Sequence, residues 1–221
     1  MKSVIFIAPP AAGKGTFSSY LEENYSYEHI STGDLFREKI KMQDEEGKAL
    51  EHILKSGQLV DDNRLFKLLN NKLETIKNSA NFVLDGVPRT LQQAYNLDII
   101  LRDLGFSEYV VIYIRVAEDI LRKRMTGRRT CQNCQSTYNI YFEKFKPHKE
   151  STCDKCKSPL DSREDDQEKA FKIRYEIFET NSEPILNYYK NQNRLYEIDN
   201  TNEDHSESLK ELERIVGALI D

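Results

Sequence analysis

The stretch Ser3-Val4-Ile5-Phe6-Ile7-Ala8-Pro9-Pro10-Ala11-Ala12-Gly13-Lys14-Gly15-Thr16 decides the architecture. Its first half is a continuous β-branched and aromatic run, the pattern of a strand buried on both faces. Its second half passes into a helical pattern over Thr16 to Glu23. A loop at that junction turns successive backbone N–H groups inward, and the helix N-terminus adds partial positive charge, so the turn is a nest for an anion. Lys14 would add a full charge at the β/γ-phosphates, and Thr16 a hydroxyl near a metal. The strict phosphate-loop pattern is broken twice: Ala8 stands where the first glycine belongs, and Gly15 follows the lysine. An ordinary strand-to-helix turn with a surface lysine is the alternative for these residues alone. If Ala11 sits at positive φ, it costs roughly 1–2 kcal/mol.

Outward from this junction, short apolar runs alternate with helical patterns. Phe82 to Asp85, Tyr109 to Val116 and Arg194 to Ile198 read as further strands. Helices are expected over Leu91 to Leu104 (stopped by Gly105), Glu118 to Met125 (ended by Gly127), Asp166 to Tyr189 with a kink at Pro184, and Ser206 to Leu219. This alternation is that of an α/β protein: a parallel sheet with helices on both faces. Two segments break the rhythm. Thr32 to Lys77 is almost wholly helical, longer than one crossover needs. Gly127 to Asp166 loses its periodicity and gains four cysteines, Pro147 and Pro159.

The 221 residues carry 32 Lys+Arg against 37 Asp+Glu, a formal charge of -5. One domain with insertions fits that length. The acidic balance argues against a nonspecific binder of nucleic acid or anionic membrane, so an anion must be held locally. Pro9-Pro10 and Lys14 cut the N-terminal apolar run short of a secretory signal, and Val110 to Ile114 is far below the ~20 residues of a membrane span. A cytoplasmic protein with no nucleic-acid or membrane partner is expected. No apolar helical seam is left over, so a monomer is expected too.

Cys131-x2-Cys134, eighteen residues, then Cys153-x2-Cys156 matches a four-cysteine zinc spacing. An excursion this small could hardly bury a core of its own, which makes a structural Zn²⁺ the expected staple. Disulfides or a redox Cys-x-x-Cys are the alternatives, and His148 has no necessary role. Arg124 and Arg128 precede the cluster; Arg163, Asp165, Asp166 and Arg174 follow it. Taken separately, these are also a solvated basic pair and an acidic helix start.

Gly13-Lys14-Gly15-Thr16, with glycine in the usual Ser/Thr slot, resembles the loop of nucleoside monophosphate kinases. Within them the chain is similar, over nearly its whole length, to the adenylate kinase family in its long, zinc-lid form. Four further motifs carry the likeness: His29 to Arg37, Gly57 to Val60, Leu84 to Arg89 with Gln93, and the cysteine module with its arginines. The resemblance implies a P-loop core over 1–30, 61–126 and 167–221, an AMP-binding insertion over 31–60, and a zinc-binding lid over 127–166. It implies ATP contacts from Ala11, Ala12, Gly13, Lys14, Gly15 and Thr16, and from Arg124, Arg128, Thr137, Tyr138 and the backbone carbonyl of Asn202. For AMP it implies Thr32 and Arg37, then Gln58, Leu59 and Val60. Gly86, Val87, Pro88 and Arg89 follow, with Gln93 at the adenine edge and Arg163 and Arg174 at phosphate. Lys14, Asp85, Arg89, Arg128, Arg163 and Arg174 would be catalytic, with Asp85 holding water on the Mg²⁺ that accompanies ATP, and Asp165 and Asp166 pairing with the arginines.

Three positions depart from the family pattern: Asp61 for proline, Val87 for an aromatic and Asn202 for lysine. The Val87 change implies looser packing over the base. Locally, Thr32 also reads as a plain helix N-cap. The expected reaction is reversible transfer from Mg·ATP to AMP, giving two ADP. The rivals are a kinase for another monophosphate and a non-enzymatic zinc-ribbon protein binding nucleotide or RNA.

Overall fold

A computed structural model describes residues 1–77, 81–163 and 166–217. The opening run forms β1 (Ser3–Ile7), buried at every position. It is followed by α1 (Lys14–Tyr25), β2 (Glu28–Ser31), α2 (Thr32–Lys41), α3 (Glu45–Ser56), α4 (Asp62–Ile76) and β3 (Phe82–Asp85). Next come α5 (Leu91–Asp103), β4 (Tyr109–Arg115) and α6 (Glu118–Thr126). The cysteine module folds as β5 (Arg128–Cys131), β6 (Thr137–Asn139), a 3₁₀ turn at Glu143–Phe145 and β7 (Leu160–Asp161). The chain then returns through α7 (Glu168–Asn191), β8 (Leu195–Asp199) and α8 (Ser206–Val216).

Five strands form one parallel sheet in the order β2-β3-β1-β4-β8. β1 is flanked by β3 and β4, with Ile5 opposite both Leu84 and Val111. Side-chain alternation explains why the run had to be apolar throughout. Ile5 and Ile7 enter one core with α2, α3, α4 and α5, whereas Val4 and Phe6 enter a second core with α1, α6 and α8. The sequence therefore leaves the centre of the sheet in one direction, then in the other. That switch beside β1 opens a crevice at the C-terminal strand ends.

Several elements differ from expectation. The sheet has a fifth strand, β2, which borders β3 with His29 opposite Val83. α1 starts at Lys14 rather than Thr16, because Gly13 takes φ +99° as its N-cap and releases the chain into the helix immediately. The cysteine excursion is a three-stranded antiparallel sheet, β6-β5-β7, rather than an aperiodic loop. The long helix begins at Glu168, not Asp166, and carries Pro184 inside it. Gly105, at φ +84°, follows the end of α5 as anticipated. Ala218 and Leu219, the expected end of the last helix, lie outside the described residues, as do Glu164 and Asp165. Among the described residues no helix is long and apolar enough to cross a membrane.

Candidate functional site

A deep cavity opens where the sheet switches direction. Its charged lining is cationic but for one residue: Lys14, Arg37, Arg89, Arg128, Arg163 and Arg174, with Asp85 the single acid. Each comes from a different place in the chain. Lys14 begins α1, Asp85 ends β3, and Arg174 projects from α7. Lys14 folds back over the loop, its Nζ 3.2 Å from Pro9 O and 3.8 Å from Asp85 Oδ1. Burial pushes the Lys14 ammonium below its ordinary range; Asp85 opposes this, while Arg89, Arg128 and Arg174 add to it. Like charges this close favour an anion between them, beyond the carboxylates that already partner some of them.

The arginines are held by the protein's own acceptors. Arg37 grips Asp34 through Nε at 3.1 Å and through Nη2. Burial works to raise the Asp34 carboxyl, but Arg37, Ser31 and Arg163 bring it below the usual carboxylate range. Arg89 Nε donates to Gly86 O at 2.8 Å, and Arg174 Nη2 reaches Leu54 O at 3.4 Å. Arg128 makes a bidentate pair with Asp166, which is buried, with Nε to Oδ2 at 2.7 Å. This fork is the geometry a phosphate also accepts. Gly86, at φ +93°, must be glycine: a Cβ there would sit 2.2 Å from Thr32 Oγ1.

Sequence reasoning overlooked the apolar wall of this cavity, made by Leu54, Met125, Ile177, Phe178 and Ile185. These residues sit on helix faces already explained by core packing, so no local pattern sets them apart.

The loop between β1 and α1 carries Ala11, which lines the cavity, at φ +62° and Gly13 at φ +99°. Further along the same edge, Arg124 Nη2 donates to Asn202 O at 3.1 Å. Burial pushes the Arg124 guanidinium down, and its Nη1 is buried without a partner.

The four cysteines converge, with every Sγ within 4.8 Å of the others. Individual separations are 3.3 Å (Cys131–Cys156) and 3.5 Å (Cys134–Cys153 and Cys134–Cys156), and none is in a disulfide. A tetrahedral ion with Zn–S arms of about 2.3 Å needs sulfur edges of about 3.8 Å, so the donor set fits Zn²⁺. The two halves are copies of one turn. Cys131 N–H donates to Ser136 O and Gln135 N–H to Cys131 O, just as Cys153 N–H donates to Ser158 O and Lys157 N–H to Cys153 O. Hydrogen bonds from Ser158 bring the Cys156 thiol down to about 5, while Cys131, despite a lowering backbone hydrogen bond at Cys134, is raised to about 11 by burial and the neighbouring sulfurs.

Comparison with known proteins decides the relationship. A family model described as adenylate kinase matches residues 6–194. The chain is 40% identical over 197 residues to an adenylate kinase of Thermosipho melanesiensis, covering 89% of this chain and 91% of that one. It is 38% identical over 220 residues to one of Borrelia recurrentis (98% and 99% covered) and 37% identical over 214 residues to one of Archaeoglobus fulgidus (97% of each). The chain belongs to the adenylate kinase family.

Not every residue that the adenylate kinase likeness singled out lines the cavity. Gln58, Leu59, Gly86 and Pro88 do; Val60 and Val87 are buried in the core beside it. The Val87 side chain is fully buried. Thr32 is the first residue of α2, not its cap. Ser31 is the cap and accepts from Asp34 N–H, while the Thr32 hydroxyl is buried without a partner. Gln93 is 2% exposed and occupied at both ends, with Oε1 accepting from Arg89 N–H at 2.7 Å and Nε2 donating to Asp62 at 2.7 Å. Thr16 and Thr137 are exposed. The Tyr138 hydroxyl accepts from Asp154 N–H at 2.8 Å and lies 3.5 Å from Cys153 Sγ, so this ring end serves the cysteine cluster.

Proposed function

We propose that the cations around Lys14 hold the phosphates of two nucleotides in line, so that the γ-phosphoryl of Mg·ATP passes reversibly to AMP and two ADP result. The observation that carries this reading is the convergence of five arginines and a half-buried lysine on one cavity, in a chain whose overall charge is -5. Phosphoryl transfer needs alignment and shielding of spread negative charge more than covalent help. Residues 8–13 and Lys14 take the donor phosphates, and Arg37 and Arg89 take the acceptor phosphate. Arg128, Arg163 and Arg174 steady the group in flight, Arg128 exchanging Asp166 for phosphate. Arg124 and Asn202 O lie at the donor adenine, with Thr137 and Tyr138 on the lid above. Gln93 reads the acceptor adenine only by exchanging one of its present contacts.

Mg²⁺ enters with ATP as part of the substrate, and Asp85 is the carboxylate able to hold one of its waters. Zn²⁺ on Cys131, Cys134, Cys153 and Cys156 supplies the cross-link for a lid too small to have a core of its own. Residues 127–166 act as that lid, excluding water that would otherwise take the phosphoryl. Residues 31–60 act as the acceptor-binding insertion, and the rest as the core. The family match does not favour a different acceptor or a non-enzymatic zinc ribbon. An assay of ATP against AMP, GMP, UMP and CMP tests this. AMP should be the preferred acceptor, and Arg89→Ala should lower turnover with AMP by about 100-fold or more while leaving the fold intact. A faster rate with another monophosphate, or near-normal turnover in Arg89→Ala, would overturn the reading.

A further inference from the structure

The strap that follows β8 carries a buried amide that the reaction as described does not use. Asn200 is 1% exposed, and both ends of its side-chain amide are engaged. Nδ2 donates to Ala12 O at 2.8 Å. Oδ1 lies 2.8 Å from His205 Nδ1 and 3.1 Å from the Ser208 hydroxyl. These partners fix which way the amide points. The Ala12 carbonyl can only accept, so Nδ2 must face it, and Oδ1 is left to accept from His205 Nδ1–H.

Ala12 lies between the two positive-φ residues of the loop, Ala11 and Gly13. In a planar trans peptide the carbonyl and the following N–H point in opposite directions. Pinning Ala12 C=O to the strap therefore turns the Gly13 N–H away from it. The packing is close: a Cβ added at Gly13 would lie 2.5 Å from Asn200 Nδ2. A nest binds an anion only while its peptide planes keep their direction, and an unanchored peptide beside two positive-φ residues could swing.

We infer that Asn200 is a positioning residue for the donor phosphates, holding the Ala12–Gly13 peptide with its N–H turned to the nest, and that His205 holds Asn200 in place. The inference rests on the reading of this loop as the donor-phosphate site. Asn200→Asp keeps the size of the side chain but sets an acceptor against Ala12 O. Calorimetric titration of that variant with ATP should show affinity down about tenfold, the upper range for one lost hydrogen bond, with AMP affinity within about twofold of wild type. His205→Ala should weaken ATP binding about threefold, and His205→Asn, which restores an N–H near the Nδ1 position, should recover it. Wild-type ATP affinity in Asn200→Asp, or equal losses for ATP and AMP, would overturn the inference. Should Asn200→Asp fail to fold, the His205 pair decides. Unchanged ATP affinity in His205→Ala, or no recovery in His205→Asn, would overturn it as well. A wild-type protein that binds ATP but transfers nothing would instead defeat the functional reading, while the same binding comparison would still judge Asn200.

Discussion

Ala11 holds φ +62° in the loop between β1 and α1, where an L side chain is strained by roughly 1–2 kcal/mol. Glycine there would remove that strain but lose about 0.5–1 kcal/mol through the freedom of its unfolded chain. The two terms leave a net gain, so Ala11→Gly should stabilise the protein by about 0.5 kcal/mol, seen as a small rise in melting temperature. A fall would mean that the Ala11 methyl, packed against the core of α1 and β4, outweighs the backbone term. This strain is legible in the sequence, because the residues around Gly13 and Lys14 define a strand-to-helix turn around an anion. Asn200 is not: its contact with Ala12 spans 188 positions, and nothing local distinguishes a buried asparagine after a strand from an exposed one. Val87 stands among the expected acceptor-site residues in sequence, while its side chain packs in the core.

Among the elements, those that declare themselves by their own periodicity are readable, and those made by their partners are not. β2 contains one fully buried residue, Ile30, in Glu28-His29-Ile30-Ser31, and is a strand only because β3 pairs with it. β5, β6 and β7 are 4, 3 and 2 residues long, too short for alternation to appear. Their core is Cys131, Cys153 and Leu160, with Tyr138 and Cys156 against it, which makes the cysteine cluster most of the packing the module has. The cysteine spacing is therefore the strongest signal in the region where secondary structure is weakest. Chelation should release one Zn²⁺ per chain and unfold residues 127–166 while the core helices persist. Phosphoryl transfer should fall at least about tenfold, with far-UV circular dichroism at 222 nm nearly unchanged, since no α-helix lies between β5 and β7. Loss of the helical signal in step with zinc release would show instead that lid and core are one cooperative unit.

Across the whole molecule, the cysteine module touches the segment before α8 at His205, whose ring stacks on Phe145 at 5.7 Å while Lys144 lies 3.8 Å from Asp204. Burial, then Arg124 and Lys144, hold the imidazole down to about 4, with Asp204 opposing. An unfolded histidine, near 6.5, binds more protons than the folded one between these values, so this contribution is full above pH 6.5 and is lost as pH falls toward 4. Because the ring is partly exposed, the loss is on the order of 1 kcal/mol after screening. His205→Asn should therefore lose less stability than wild type between pH 6.5 and 4, and parallel curves would refute the assignment. The larger electrostatic feature is the contrast between a net charge of -5 and a cavity lined by Lys14 and five arginines. A focused positive field inside an acidic surface attracts polyanions into the cleft and repels them elsewhere. Raising salt from 0.1 to 1 M shortens the screening length from about 10 to about 3 Å, less than the width of such a cleft. Between these salt concentrations kcat/KM for AMP should fall about threefold to tenfold, through KM more than kcat. Removing one of the cations should flatten that dependence, so Arg174→Gln should show a shallower slope of log kcat/KM against log salt than wild type. A flat wild-type profile, or an unchanged slope in Arg174→Gln, would mean that short-range contacts alone recruit the nucleotides and that the charge segregation has no part in capture.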